Sequence, residues 1–152
     1  MKKTLLAIAI ISMPSAAMAQ DAMKMARATP DEVNWKIVSA LPKGAEIAFL
    51  SGDPTKSDVI VERLKMPPNY QIPPHTHPYS ETVTILSGRA RLGFGDKVDP
   101  SATLDKSGTL YMNPARNPHY VVTGAEEAII QVQFVGPGAI DYLNPADDPR
   151  KK

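Results

Sequence analysis

From Trp35 onward the sequence is cut into short apolar runs by proline, glycine and other turn residues, and this punctuation restricts the fold most. Fifteen prolines are spread over 152 residues. Proline lacks a backbone N–H, so it breaks helix interiors and cannot donate to a sheet ladder. Most prolines therefore belong in loops or at strand edges, and helix content is low. The apolar runs and their alternation predict strands near 46–50, 58–65, 75–77, 81–86, 89–94, 109–112, 119–123 and 127–135. Between them lie a proline-rich loop from Met66 to Pro74 and a polar stretch from Gly95 to Ser107, and an irregular tail opens at Pro137. Thr29-Pro30-Asp31-Glu32 has the form of a short helical turn with Thr29 as its cap. Short strands with Gly/Pro punctuation and no convincing long helix make the chain all-β, a sandwich or a barrel.

The first 19 residues do not count toward that fold. Lys2 and Lys3 precede an apolar run from Thr4 to Met13, and Ala17-Met18-Ala19 offers a small-residue cleavage site before Gln20. This is the layout of a signal peptide, too short to span a bilayer as a helix, so no stable membrane insertion is expected. Cleavage would leave 15 basic against 16 acidic side chains, a balance that gives no reason to expect nucleic acid as a partner. There is no cysteine, which excludes disulfides, a thiol nucleophile and thiolate metal ligands. Export without disulfides points first to the periplasm and second to secretion. No twin-arginine pair precedes the apolar run, so export in the unfolded state is expected. Met23-Lys24-Met25 is read as part of a disordered terminus.

His75-Thr76-His77 carries the chemistry. Side chains at i and i+2 of a strand share a face, with Cβ atoms roughly 6–7 Å apart, so both imidazoles can reach one ion. Glu81 follows after Pro78-Tyr79-Ser80, and Ser87-Gly88 marks a hairpin turn. A third imidazole can come only from His119, since the chain has three histidines. No histidine is then left to partner a serine, which argues against a Ser-His hydrolase.

The spacing His75-x-His77-x3-Glu81-x6-Gly88 resembles the first motif of the cupins, and Gly108-x5-Pro114-x4-His119 resembles the second. The resemblance implies a double-stranded β-helix or jelly-roll barrel over about residues 40–136. Residues 20–39 are then an N-terminal extension and 137–152 a C-terminal tail. It also implies that His75, His77, Glu81 and His119 ligate one divalent metal ion, and that the protein is a homodimer. Three customary residues are replaced: two glycines by Asn69 and Arg116, and an asparagine by Thr123.

A set of three imidazoles and a carboxylate accepts Fe, Mn, Ni, Cu or Zn and leaves positions for a small oxygen ligand. The first expectation is an enzyme on a small oxygenated molecule, dioxygenase-like ahead of isomerase or lyase, with Glu81 as a catalytic base. A non-catalytic binding or sensing module is the alternative, and a closed structural zinc site a third. Parity from Glu81 and His119 turns Val83, Ile85, Val121 and Thr123 inward. Gln131 and Gln133 share a face, either hydrogen-bonding toward the pocket or lying on an exposed face. Arg116 either meets an anionic substrate or points into solvent, and Tyr79, Tyr111, Tyr120 and Met112 either line the pocket or only pack.

Overall fold

The computed structural model describes residues 27–152, so the expected signal segment and Met23-Lys24-Met25 lie outside the described residues. Ten strands follow in chain order. They are β1 (Glu46–Ser51), β2 (Val59–Met66), β3 (Gln71–Thr76), β4 (Glu81–Ser87) and β5 (Arg89–Phe94). After them come β6 (Asp105–Lys106), β7 (Leu110–Asn113), β8 (His119–Thr123), β9 (Ala128–Val135) and β10 (Asp141–Tyr142). They form two antiparallel five-stranded sheets, ordered β1-β2-β9-β4-β7 and β10-β3-β8-β5-β6. This is the all-β, jelly-roll-like barrel expected of the motifs. At the N-terminal side, Pro30–Glu32 form one 3-10 turn, and the Glu32 carboxylate accepts from the Thr29 backbone N–H at 3.1 Å.

Alternation builds the interior. On β9, Ala128, Ile130, Val132 and Phe134 face inward, and Val83 and Ile85 do so on β4. They meet Ile72, Leu92 and Val121 from the opposite sheet in one apolar cluster. Each such fully buried aliphatic side chain contributes about 1.5–3 kcal/mol. On β2 the inward set is Ile60, Glu62, Leu64 and Met66, while Val59 is 68% exposed. An acid therefore occupies an inward position in an otherwise apolar row.

β3 departs from expectation, since it begins at Gln71 inside the stretch read as a loop. Pro73 and Pro74 lie within the strand, where its register with β8 slips between Ile72 and His75. A bulge is where a sheet tolerates residues without an N–H. The slip sets His75 directly against His119, and β10 pairs with the other edge through Tyr142 and His75. The short β6 and β10 are too brief to leave an alternation in the sequence.

The inward parities of Val83, Ile85, Val121 and Thr123 hold. The pocket-facing placement of the glutamines does not. Gln133 is exposed, and half-buried Gln131 accepts from Arg63 Nε at 3.2 Å on the outer face. The inward positions next to them belong to Ile130, Val132 and Phe134, as the one-residue offset dictates.

Gly88 has φ 71°, and a Cβ there would run into the Glu127 carbonyl, which explains the glycine of the first motif. Asn69 (φ 54°) and Arg116 (φ 61°) are the two non-glycine residues with positive φ among the described residues. They stand where cupins usually have glycine, and the left-handed turn explains that preference. Thr123 serves the first turn, since its Oγ accepts from the Tyr70 N–H at 2.8 Å and donates to the Pro67 carbonyl at 2.8 Å. The Arg116 side chain is exposed in its turn, and its backbone N–H donates to the His77 carbonyl at 2.7 Å. Arg116→Gly should stabilise the fold by roughly 0.5–1 kcal/mol, the left-handed penalty less glycine's larger entropy loss. Urea unfolding of the two proteins measures it, and a destabilised variant contradicts it.

Candidate metal centre

His75, His77, Glu81 and His119 come from the end of β3, the residue just beyond it, the start of β4 and the start of β8. One ring nitrogen of each of the three histidines lies within 4.8 Å of the others'. Ring centroids are 4.1 Å apart for His75 and His119, 5.0 Å for His75 and His77, and 5.2 Å for His77 and His119. Glu81 joins two of them, with Oε1 3.1 Å from His119 Nε2 and Oε2 3.7 Å from His77 Nε2.

The other ring nitrogens are held by the backbone. His75 Nδ1 lies 2.7 Å from the Pro73 carbonyl, His119 Nδ1 lies 3.0 Å from the Asn117 carbonyl, and His77 Nδ1 bonds the Ala139 carbonyl. A carbonyl only accepts, so each Nδ1 is the donor in these bonds and each Nε2 keeps a lone pair for an ion. In that tautomer Asn113 Nδ2, 2.9 Å from His119 Nδ1, meets another donor and its hydrogen bond goes to Glu81 Oε1 at 3.2 Å.

The protonation states match. Burial, then the neighbouring His119 and His77, hold His75 down at about pKa 3. Burial also lowers His77, with Glu81 opposing it. For Glu81, burial pulls the carboxyl up, but the neighbouring His119 and His77 rings and the Asn113 amide outweigh it and leave it below its ordinary value. Lowered values at His75 and His77 beside an ionised Glu81 carboxylate are what a divalent ion requires of these ligands. The donor set fits a borderline divalent metal.

Sequence reasoning missed Asn113, which is 1% exposed and pairs directly with Glu81 across β7 and β4. Its one signal was its place before Pro114 in the second motif. Asn113 orients Glu81, and Asn117 Nδ2 in turn donates to its Oδ1 at 3.1 Å. Asn113→Ala should weaken metal binding about 10–100-fold, the usual cost of losing a ligand's hydrogen-bond partner. Competition against a chelating dye reads this directly, and unchanged affinity refutes it.

The histidines and Glu81 line a cavity of about 250 Å³ whose remaining walls are mainly apolar, with Phe49, Val83, Val121 and Phe134 among them. Tyr79 stacks between His77, at 5.1 Å, and Phe134, at 4.2 Å, and lines the cavity as one of the aromatics singled out earlier. The others do not line it. Tyr120 turns outward against Gly93 and accepts from the Asp99 N–H at 3.1 Å, Tyr111 donates to Asp105, and Met112 is 73% exposed. Residues after Pro137 close one side of the cavity through Ala139, Ile140 and Arg150.

A profile of the cupin domain matches residues 62–133, a span that includes both motifs. Among solved structures, the polyketide cyclase RemF from Streptomyces resistomycificus superposes with a TM-score of 0.68 at 22% identity, covering 84% of this chain and 92% of its own. KdgF from Halomonas sp. gives 0.56 at 15% identity, with 70% and 90% covered. The DMSP lyase DddQ from Ruegeria pomeroyi DSS-3 gives 0.58 at 19% identity, with 74% of this chain and 62% of its own covered. At these identities the likeness is one of fold. No curated protein sequence matches the chain. The matched profile, the two-sheet barrel and the histidine cluster agree: residues 62–133 form a cupin domain.

Proposed function

We propose that the protein is a metal-dependent enzyme acting on a small, largely apolar molecule through an oxygen group bound at His75, His77, Glu81 and His119. The observation that carries this is the convergence of the three imidazoles on the wall of an apolar cavity of about 250 Å³. A closed structural zinc site packs its ligands among side chains, whereas this set fronts a space with room for a small ligand.

A bound divalent ion supplies Lewis acidity toward a substrate oxygen. The chain supplies the rest. Backbone carbonyls fix the imidazole rings, Asn113 holds Glu81 Oε1, and Oε2 remains free to take a proton from a bound molecule. Apolar walls exclude water and strengthen that transfer. Proton-transfer chemistry, of the isomerase, cyclase or lyase kind, therefore moves ahead of the dioxygenase reading. The neighbours described as a polyketide cyclase and a DMSP lyase are in keeping with it.

The test begins with metal analysis of the purified protein, then reloading with Mn, Fe, Ni, Cu or Zn. Apolar ketones and hydroxy ketones are incubated with it in D2O under nitrogen, and carbon-bound deuterium is followed by NMR. Metal-dependent exchange that stops on chelation supports the proposal. Dioxygen uptake in a parallel aerobic incubation, without exchange under nitrogen, restores the oxygenase reading, and tight binding with neither leaves a binding or sensing module.

We further propose that the mature protein works in the periplasm, on the strength of residues 1–19, and cell fractionation decides it. No helix of the described residues is long and apolar enough to cross a membrane. We also propose a homodimer; light scattering of the mature chain tests it. Edge strand β7, with exposed Leu110 and Met112, is a candidate surface for it.

A further inference from the structure

The cavity has a second polar feature besides the histidine cluster. Glu62 projects inward from the middle of β2, between Ile60 and Leu64, with Phe49 across from it on β1 and Val132 on β9. It lines the same cavity and is half-buried. No hydrogen bond or ion pair joins its carboxyl to another described residue, and burial, followed by the charge of Glu81, raises it to about pKa 8.

Nothing else on the lining satisfies it. Tyr79 donates to the Ala139 carbonyl at 3.0 Å, and Arg150 is taken up by Asp148 at 2.7 Å and by the Ile140 carbonyl at 3.0 Å. The remaining titratable groups, Glu81 and the three histidines, form the metal cluster. Packing does not account for an unpaired acid in an apolar row, because the position costs free energy that a valine or leucine would not. A group of this kind facing a cavity is a mark of a functional site. Protonated, it offers one O–H donor and one carbonyl acceptor to whatever fills the space.

We propose that Glu62 is a specificity-determining residue whose carboxyl hydrogen-bonds a hydroxyl or carbonyl oxygen at the far end of a mainly apolar ligand, the near end of which meets the metal-binding histidines. This deepens the function proposed above and rests on it. The ligand class is thereby narrowed to small molecules with two oxygen functions separated by an apolar body. A site built to hydrogen-bond a hydroxyl discriminates strongly against the analogue lacking it, because the buried polar group is left unpaired.

The test uses the protein loaded with Zn(II) under nitrogen and two probes of similar size, 4-(hydroxymethyl)catechol and 4-ethylcatechol, measured by calorimetry. Their catechol oxygens address the metal, and they differ in one remote hydroxyl. The wild type should favour the hydroxymethyl probe at least about tenfold. Glu62→Leu should remove that preference with zinc content unchanged, and Glu62→Gln should keep part of it. In parallel, the 13C resonance of the Glu62 carboxyl, assigned by its loss in Glu62→Gln, should shift with the hydroxymethyl probe alone. Equal preference in wild type and Glu62→Leu overturns the role of Glu62 and leaves the metal site standing. Zinc uptake with neither probe bound also overturns it. Failure of zinc to load at all removes the metal reading and this inference with it.

Discussion

Replacing His119 with alanine should strip the centre of metal. His119 is 1% exposed, sits directly opposite His75 in the register of β8 and β3, and holds its Nε2 3.1 Å from Glu81 Oε1. The chain has no fourth histidine and no cysteine to take its place. Loss of a hydrogen-bond partner to a ligand already costs 10–100-fold in affinity, so loss of the ligand itself should exceed about 100-fold. His77→Ala should act in the same direction from the more exposed rim. Metal content after purification and competition titration give the answer, with circular dichroism to show that the barrel persists. Full occupancy in both variants would end the claim that this cluster binds metal. A folded His119→Ala protein with no metal would also separate the ion from a role in holding the fold together.

The parts of the site that were legible in the sequence are those in which spacing along one strand equals placement in space. His75 and His77 needed only the period of a strand, and His119 followed because no other histidine exists. The same period turned Val83 and Val121 inward correctly, and the histidine spacing survived the bulge because it lies after Pro73-Pro74. Gln131 and Gln133 stayed between two readings because their strand offered two alternating faces, and nothing local says which one meets the opposite sheet. Val132 and Phe134 took the interior, as the larger apolar pair would. Asn113 escaped notice because its partner Glu81 is 32 residues away in sequence, and only the β4–β7 register joins them. The tail was hidden for a related reason. A two-residue strand leaves no alternation, yet β10 brings Tyr142 against His75, and the tail residue Ala139 offers its carbonyl to His77. Glu62 did leave a signal, an acid standing in phase with Ile60, Leu64 and Met66, but that phase emerged only once Val59 was seen to be exposed.

Glu62 also governs the second large effect, the stability of the metal-free protein as pH changes. Its carboxyl has an ordinary pKa of 4.5 and is pushed up to about 8 in the fold, first by burial and then by the charge of Glu81. The folded state therefore holds this proton more tightly than the unfolded chain. The resulting stability is complete below pH 4.5 and is lost as pH rises through about 8. Because Glu62 is only half-buried, solvent screening softens the penalty, and a loss of roughly 2–3 kcal/mol across this window is expected. Glu62→Gln keeps the shape and removes the ionisation, so its stability should not share that loss. His75 works in the opposite sense, with stability lost as pH falls from 6.5 through about 3, because its folded pKa is depressed. That contribution is common to both proteins and cancels in their difference. Urea unfolding of chelated wild type and Glu62→Gln from pH 5 to 9 should thus show the variant gaining steadily on the wild type. A difference that stays constant over that range would mean that the Glu62 carboxyl ionises as freely in the cavity as in water, and the protonated group that the pocket is proposed to offer its ligand would not exist.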